Sequence, residues 1–461
     1  MKKKVFFSRY LLALPIIVSS LMSCQAPTGE NSIESTPGIS DVPSLPSPSL
    51  PSEPVSSEEE PDYGLFTDED FLQVDGIKVR KNHGTGDAVI LKGTNAGGYL
   101  TIESWMCAAG SSTSRGYIDH KKLTEIFVER FQEEKTLELW EAYRNYYWSE
   151  IDFENCYDMG MNCIRLPFNY MNVDPDYHNV PRIEGEKYNF TLLDDFVTKA
   201  ARLGIYTILD MHGAYGSQNG QDHSGQAMSL EEVDFYTNEE KMQKTVDMWA
   251  AIAEHFKDNP AVAAYDILNE PGEKAGVTSK RHWDFFDRVY EAIREVDEQH
   301  IVVFESCWDG AHLPQPSEYG WENCMYSFHN YSGESDADRN LASMERKIEG
   351  VEYMNFKVPC YMGEFNCYGN EESWTSTLTL FARKGWHWTS WTYKLNRVTD
   401  MAYPGWGIYY TRARKISPDE DSYEDILASW EKISTEHEDT SMMGFPSGMS
   451  LKNIMKRFCS N

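Results

Sequence analysis

The chain has 461 residues, enough for two or three ordinary domains or for one large α/β barrel with insertions. Its 42 basic and 73 acidic residues give a net charge of −31, which argues against nucleic acids and anionic membrane surfaces as partners. The nine cysteines include no CxxC pair and no Cys/His cluster with metal-ligand spacing, so the pattern predicts neither a metal site nor a disulfide pairing.

The first 62 residues differ in composition from the rest of the chain. Residues 1–24 are typical of an export signal, with lysines at 2–4, an apolar stretch over 11–18, and Leu21-Met22-Ser23-Cys24. The last four resemble the bacterial lipobox, which implies lipidation of Cys24. Residues 25–62 are rich in Pro and Ser and predict a disordered linker. We therefore expect an exported protein, lipid-anchored to the bacterial cell envelope or cell surface, with a folded domain over 63–461.

From residue 63 onward, turn signals and hydrophobic periodicity predict an α/β fold. Residues 71–79 and 88–91 flank Asp75-Gly76 and Gly84-Thr85-Gly86 and predict a β-hairpin at the entry to the domain. Strand-like and helical patterns then alternate. The eight predicted strands span residues 89–95, 163–169, 206–213, 262–270, 301–306, 325–331, 359–366 and 386–394.

Eight strands alternating with helices predict a (β/α)8 TIM barrel. The first βα loop is enlarged, since residues 104–161 separate the first two strands and carry two predicted helices over 121–147. An open, doubly wound sheet is the alternative. We disfavour it because no Gly-rich phosphate loop follows the first strand.

Two glutamates stand at the carboxyl ends of predicted strands, where the active site of such a barrel lies. Glu270 follows the fourth strand in Asn269-Glu270-Pro271, and Glu364 ends the seventh in Gly363-Glu364-Phe365. Glycoside hydrolysis needs two carboxyl groups, one protonated to donate to the leaving oxygen and one ionised to attack or to activate water. Arg165 and Tyr331, also at strand ends, are candidates to keep one of them ionised.

The same strand ends resemble glycoside hydrolase family 5, a family of retaining β-glycosidases on (β/α)8 barrels. The resemblance covers about residues 65–460 and implies that Glu270 is the general acid/base and Glu364 the nucleophile. It also implies carboxyl groups about 5–5.5 Å apart. The remaining hallmark positions, which support the nucleophile or bind the sugar, are matched by Arg165, His212, Asn269, His329, Tyr331 and Trp391.

Two loops resemble those of exo-acting β-1,3-glucanases within the family. They are residues 97–103, where Glu103 matches a carboxylate that binds hydroxyls of the terminal glucose, and residues 209–225. Tyr99, Tyr215 and His223 depart from the residues usual there, which leaves the linkage open.

Three further carboxylates were weighed as catalytic candidates. Asp210 and Asp266 lie inside predicted strands and are expected to be structural hydrogen-bond acceptors. Glu305 ends the fifth strand, and the sequence leaves it between a structural role and contact with substrate.

The sequence thus predicts a retaining β-glucosidase-type hydrolase of β-glucan chains or oligosaccharides, acting as a monomer with no metal or organic cofactor and touching a membrane only through its lipid anchor. An endo-β-1,4-glucanase or mannanase on the same barrel is the nearest alternative, and a transglycosylase would use the same residues. A non-catalytic carbohydrate-binding lipoprotein is a remote alternative, since both glutamates are present.

Overall fold

The computed structural model describes residues 63–109, 118–272, 278–306, 312–332, 336–396, 406–435, 438–439 and 450–460. The predicted export signal, the lipidation site Cys24 and the linker over 25–62 lie outside the described residues. No helix in the part of the chain that the structure describes is long and apolar enough to cross a membrane.

The described chain begins with a small antiparallel sheet of three strands, β1 (Gln73–Asp75), β2 (Lys78–Arg80) and β3 (Ala88–Val89). The hairpin predicted here is therefore a three-stranded meander, because residues 79–80 pair with both neighbouring strands. Val74 N–H donates to Asn323 Oδ1 at 3.0 Å, directly before a barrel strand begins. The small sheet consequently covers the amino-terminal end of the barrel.

The core of the fold is a closed barrel of eight parallel strands, as the sequence predicts. Seven of its strands pair with the next along the chain, and the eighth pairs with the first to close the ring. The barrel strands are β4 (Lys92–Asn95), β5 (Cys163–Asn169), β6 (Tyr206–Gly213), β7 (Val262–Asp266), β8 (Ile301–Glu305), β9 (Cys324–Asn330), β10 (Cys360–Phe365) and β11 (His387–Ser390).

Three predicted strands were too long. Val89 pairs with Val79 in the small sheet, so the first barrel strand begins only at Lys92. β7 ends at Asp266 rather than at Glu270. Ile267 N–H and Asn269 N–H still donate to carbonyls of the neighbouring strands, whereas the Glu270 N–H donates to the Glu305 side chain. β11 ends at Ser390, and Lys394 belongs to a separate sheet of β12 (Lys394–Asn396), β13 (Tyr409–Thr411) and β14 (Glu438–Asp439).

The enlarged first βα loop contains α1 (His120–Tyr147) and α2 (Glu150–Asp158). The prediction of two helices over 121–147 is confirmed in part: a kink at Gln132, with φ of 68°, divides α1 into two helical segments, and α2 is additional. The side chain of Asp119 caps the start of α1 by accepting from Lys122 N. Trp140 on α1 stacks on Trp430 of α9 (Tyr423–Thr435), which fastens the insertion to the C-terminal part of the chain.

The helices that follow the strands bury one apolar face against the barrel. In α4, for example, Asn238 caps the first turn, and Met242, Val246, Trp249 and Ile252 recur at helical spacing and are buried. The remaining helices are α3 (Thr191–Ala201), α4 (Glu239–Phe256), α5 (Ser279–Arg294), α6 (Pro316–Tyr319), α7 (Ala337–Met354), α8 (Glu371–Lys384) and α10 (Leu451–Cys459).

Candidate active site

Arg165 is the centre of the polar network inside the barrel mouth, although it is the third residue of β5 and does not stand at the end of that strand as the sequence predicted. Its guanidinium is fully buried and lies among four carboxylates. Nε donates to Asp266 Oδ2 at 2.9 Å and Nη1 to Glu364 Oε1 at 2.9 Å. Nη2 lies 3.1 Å from Asp210 Oδ1 and 3.5 Å from Glu305 Oε2. The rigid fork of arginine suits this position because it spreads one charge over several acceptors.

The carboxylate of Glu364 lies near the end of β10 and is held on both oxygens. Besides Arg165 on Oε1, Tyr331 OH donates to Oε2 at 2.6 Å. A shift of register between Met362 and Glu364 interrupts the pairing of β10 with β9. The two donors fix the orientation of the carboxyl group in the site, as a nucleophile requires.

Glu270 lies beyond the end of β7 and has a left-handed backbone, with φ of 40°. Such a conformation is strained for a residue with a Cβ, and its surroundings hold it in place. The Glu270 N–H donates to Glu305 Oε1 at 3.0 Å, and its carbonyl accepts from Asn219 Nδ2 at 3.0 Å. This backbone turn directs the Glu270 side chain into the pocket that Glu364 also lines.

His329 links the two glutamates. Its Nδ1 lies 2.8 Å from Glu270 Oε1 and 3.6 Å from Glu364 Oε2. Those two oxygens can therefore be no further apart than the sum of the two distances. This bound is compatible with the separation of about 5–5.5 Å between the carboxyl groups of retaining glycosidases.

His212 and Trp391 form one wall of the site. The imidazole stacks on the indole with ring centroids 5.4 Å apart and an interplanar angle of 9°. His212 Nδ1 bonds to Asp210 Oδ2 at 2.6 Å, and its Nε2 lies 4.0 Å from Glu364 Oε1. Burial lowers the pKa of His212 to about 3, so the ring is neutral at pH 7. Asn269 completes this region by accepting a hydrogen bond from Arg165 Nη2 at 3.0 Å.

These groups open into a pocket of about 210 Å³ at the carboxyl end of the barrel. Larger clefts occur elsewhere on the surface, including one of about 1120 Å³ at the amino-terminal end, but neither glutamate lines them. The pocket is lined by Glu103, Trp105, His212, His223, Asn269, Glu270, Tyr331, Glu364, Trp391 and Trp406.

Every predicted site residue of the barrel lies in or directly behind this pocket. Arg165 and His329 stand behind it and contact the glutamates, and Glu103 lies on the first βα loop. The untested member of the set is Cys24, which lies outside the described residues.

The sequence did not reveal three contributors to the pocket wall. Trp105 donates its indole N–H to Glu103 Oε2 at 2.7 Å, and Trp406 packs on both Trp105 and Tyr331. His223 Nε2 lies 3.4 Å from Glu270 Oε2, although the sequence marked this residue only as a departure from the usual one. The position of Trp105 two residues after Glu103 could have indicated that it lines the pocket. No sequence pattern indicates this for Trp406.

Burial raises the pKa of several carboxyl groups around this pocket. The pKa of Asp210 and that of Asp266 rise to about 7, because burial outweighs the opposing effect of Arg165. Burial likewise holds the pKa of Glu305 and that of Glu103 well above the usual range. Part of the carboxyl cluster is therefore protonated at neutral pH. The predicted structural roles of Asp210 and Asp266 agree with their contacts to Arg165.

Two sets of acidic and imidazole side chains bring their donor atoms within 4.8 Å of one another, Glu103 with Asp222 and His223, and Glu270 with Glu305 and His329. In the second set Glu270 Oε1 is bonded to His329, and in the first Glu103 Oε2 is bonded to Trp105. Because these atoms already form hydrogen bonds with neighbouring side chains or line the pocket, we assign neither set to a metal.

A closed parallel barrel with two glutamates facing each other across its carboxyl end is the architecture of a retaining glycoside hydrolase. The family model "Cellulase (glycosyl hydrolase family 5)" matches residues 129–397, more than half of the chain. The chain therefore belongs to glycosyl hydrolase family 5 and is an O-glycosyl hydrolase.

Curated relatives are glycosidases. The "Beta-xylosidase" of Phanerodontia chrysosporium is 28% identical over 362 residues, 70% of this chain and 71% of the relative. The "Probable glucan 1,3-beta-glucosidase A" of Aspergillus fumigatus is 27% identical over 289 residues, 60% of this chain. The match spans 65% of that relative, just under two thirds of its length.

Solved structures share the fold. The rutinosidase from Aspergillus niger superposes with a TM-score of 0.52 at 16% identity, covering 69% of this chain and 93% of the neighbour. An endogalactoceramidase gives a TM-score of 0.52 at 18% identity, covering 85% of this chain and 84% of the neighbour. At these identities the likeness shows the barrel alone.

Proposed function

We propose that the protein is an exo-acting, retaining β-glycosidase of β-glucan chains or oligosaccharides, with Glu364 as nucleophile and Glu270 as acid/base. The observation that carries the proposal is the single nitrogen, His329 Nδ1, within 3.6 Å of an oxygen of both carboxyl groups. A contact shared by both carboxyl groups brings them close together, as the direct attack of one carboxylate in a retaining mechanism requires.

The contacts of the two glutamates support this division of roles. Glu364 Oε2, held by Tyr331, or Oε1, held by Arg165, attacks the anomeric carbon. Glu270 donates a proton to the glycosidic oxygen as the bond to the leaving group breaks. Glu270 then takes a proton from water, whose oxygen displaces Glu364 from the anomeric carbon and regenerates both carboxyl groups.

The pocket supports action at a chain end. Its volume of about 210 Å³ is below the range of about 300–1,000 Å³ that holds drug-sized ligands, so it suits one terminal sugar. Trp391 offers an aromatic face to that sugar, and Glu103 offers a carboxyl group to its hydroxyls. The names of the two curated relatives point to xylose or to β-1,3-linked glucose as that sugar.

We also propose that Cys24 is lipidated and that the enzyme is tethered as a monomer to the bacterial cell envelope. The lipobox-like residues 21–24 and the Pro/Ser-rich segment over 25–62 support this. A Cys24→Ala variant expressed in a lipoprotein-processing bacterium is expected to lose incorporation of radiolabelled palmitate and to appear in the soluble fraction. Equal labelling of the variant and the parent would contradict the anchor.

Product analysis tests the activity. The purified protein is incubated with laminarin, lichenan, carboxymethylcellulose, mannan and 4-nitrophenyl β-glucoside and β-xyloside, beside Glu364→Gln and the exposed-surface control Glu349→Gln. Progressive release of glucose from laminarin, with the β-anomer formed first, is expected from the parent and the control and not from Glu364→Gln. Mixed oligosaccharides from lichenan or cellulose would instead establish an endo-glucanase, and first formation of the α-anomer would exclude retention.

A further inference from the structure

Glu305, at the end of β8, has no part in the mechanism above, yet it contacts the acid/base twice. Its Oε1 accepts the backbone N–H of Glu270 at 3.0 Å. Its Oε2 lies 3.3 Å from Nε2 of His329, whose other nitrogen bonds to Glu270 Oε1. The side chain is completely buried. Glu305 therefore acts on Glu270 from behind, through the backbone and through an imidazole.

The two atoms that face each other between Glu305 and His329 each need a proton partner. Neither Glu305 Oε2 nor His329 Nε2 makes a regular hydrogen bond to any other described residue, although both are buried. A buried polar atom without a partner is costly, and one proton between these two atoms satisfies both. The remaining question is which of the two carries it.

The surroundings of His329 decide the position of the proton. Burial lowers the pKa of His329 to about 3, so the ring is neutral and holds a single N–H. Nδ1 faces two carboxylate oxygens, Glu270 Oε1 at 2.8 Å and Glu364 Oε2 at 3.6 Å. A nitrogen between two acceptors is the one that carries hydrogen. His329 Nε2 is consequently an acceptor, and Glu305 Oε2 is the donor.

The charges around Glu305 agree with a neutral carboxyl group. The described groups that face it are Asp266, Arg165, Glu270, Glu364 and His329. The one cation, Arg165, lies 3.5 Å from Glu305 Oε2, but Nη2 has nearer acceptors in Asn269 Oδ1 at 3.0 Å and Asp210 Oδ1 at 3.1 Å. One guanidinium does not neutralise all these acids, and burial holds the pKa of Glu305 well above the usual range.

We propose that Glu305 is a protonated positioning residue that donates a hydrogen bond to His329 Nε2 and thereby fixes His329 Nδ1–H on Glu270 Oε1. The inference rests on the proposed function, since it assumes that Glu270 is the acid/base. Because Oε1 accepts this hydrogen bond, the acidic proton of Glu270 resides on Oε2, on the side of the pocket.

His223 faces the other carboxyl oxygen of Glu270 and is itself held by Asn219. Asn219 is oriented by two backbone groups, since its Oδ1 accepts from Gln221 N and its Nδ2 donates to the Glu270 carbonyl. The same Nδ2 lies 2.7 Å from His223 Nε2, which is therefore the unprotonated nitrogen of His223. That nitrogen is 3.4 Å from Glu270 Oε2. The proton moves from Oε2 to the glycosidic oxygen during reaction, and neither histidine takes it up.

Glu305→Gln and Glu305→Leu separate the proposal from a merely structural role. In the glutamine variant the backbone N–H of Glu270 selects the amide oxygen, so the amide N–H₂ faces His329 Nε2 and can only donate. We expect Glu305→Leu to lower kcat/KM for alkyl β-glucosides roughly 10²-fold, the scale of general acid catalysis, and Glu305→Gln to recover at least tenfold of this loss. For a dinitrophenyl β-glucoside, which leaves without protonation, the loss in Glu305→Leu is expected to stay within about threefold.

If Glu305 is instead ionised and accepts a hydrogen bond from His329 Nε2–H, the opposite result is expected. The amide N–H₂ of Glu305→Gln would then face an imidazole N–H, and no hydrogen bond could form. The proposal would therefore be overturned if Glu305→Gln had a kcat/KM on alkyl glucosides as low as that of Glu305→Leu. It would also be overturned if Glu305→Leu lost equal kcat/KM on the alkyl and the dinitrophenyl glucosides. If thermal unfolding shows that Glu305→Leu does not fold, a Glu305→Gln variant with less than a hundredth of the parent activity would overturn the proposal.

The ¹⁵N NMR spectrum of the histidine-labelled protein tests the proton position without any activity. With His329→Gln used to assign the signal, His329 is expected to show a protonated Nδ1 and an unprotonated Nε2 in the parent and in Glu305→Gln. A protonated Nε2 would overturn the proposal. A parent that cleaves no β-glycoside but shows the expected tautomer would contradict the proposed function alone.

Discussion

Two buried cations at the barrel mouth have different surroundings. Arg165 lies among Asp210, Asp266, Glu305 and Glu364, all within 3.5 Å of its nitrogens. Lys394, on β12, pairs with one carboxylate, Asp152 of α2, at 2.8 Å. Its ammonium also donates to the Tyr147 carbonyl at 2.7 Å, and Tyr393 OH donates to Asp152 Oδ1. One cluster has more acids than cations and the other is balanced.

The difference indicates which cluster is built for chemistry. A balanced buried pair with its donors satisfied fastens two segments together, here α2 and β12. A cluster with surplus carboxyl groups must keep some of them protonated, and such shared protons are what acid and base catalysis uses.

Arg165→Lys is expected to lower kcat about 10³-fold. An ammonium cannot reproduce the fork that reaches Asp266, Glu364 and Asn269 together, so the nucleophile loses its support. Steady-state kinetics measure the loss of kcat on the substrate that the product analysis identifies. The matched control is the exposed Arg383→Lys on α8, which should stay within twofold of the parent. A variant retaining more than a tenth of kcat would show that charge alone suffices at position 165.

Lys394→Met is expected to lower the free energy of unfolding by about 3–5 kcal/mol, because the buried carboxylate of Asp152 loses the ammonium that lies 2.8 Å from it. The double variant Lys394→Met/Asp152→Leu should be more stable than Lys394→Met, since no uncompensated charge remains. Urea unfolding followed by tryptophan fluorescence measures these two variants and the single variant Asp152→Leu. A double variant as unstable as the sum of the two single variants would mean that the pair is not a closed unit.

The Arg165 cluster should make stability depend on pH. Because burial raises the pKa of Asp210 to about 7, the folded state binds this proton more tightly than the unfolded state does. The free energy of unfolding should therefore fall as the pH rises from about 4 to about 7, by up to about 1.4 kcal/mol per pH unit for each such proton. Asp210→Asn is expected to show a shallower fall in urea titrations over this range. An unchanged slope would mean that Asp210 is ionised throughout.

Trp105→Phe is expected to have the smallest effect, about a fivefold rise in KM with kcat within twofold. The variant loses the N–H donor to Glu103 Oε2, a single hydrogen bond worth about 1 kcal/mol. Trp283→Phe, which removes an indole donor on α5 that does not line the pocket, is the control. A fall of kcat instead of a rise of KM would assign Trp105 to the reacting centre rather than to sugar binding.

Much of the fold could be predicted because barrel strands are buried on both faces and stand out as short apolar runs between helical patterns. Residues 163–169 and 206–213 were predicted to the residue. The predicted start of the first strand was wrong because Val89 continues the apolar run of the sequence. Its pairing with Val79, which places it in the small sheet, is a tertiary contact that the sequence pattern does not show. The strand before Glu270 was predicted too long, because the apolar run continues past Asp266, and a side chain, Glu305, accepts the Glu270 N–H.

The site could be located because parallel strands bring their carboxyl ends to one face, so residues far apart in sequence, such as Arg165 and Glu364, were expected together. Trp105 and Trp406 could not be found in this way, since both lie on loops whose course depends on packing. The sequence does not decide the role of Glu305, because only the distance between Glu305 Oε2 and His329 Nε2 identifies its proton partner.

The small sheet of β1–β3 at the amino-terminal end of the barrel bears on how the enzyme can be immobilised. The chain reaches Tyr63 beside this sheet, where Leu65 N–H donates to the Ala201 carbonyl just before β6 begins. The pocket lies at the opposite end of the strands. Coupling to a bead, a sensor chip or a multienzyme scaffold through residues preceding 63 should therefore leave the catalytic face open to bulky polymers.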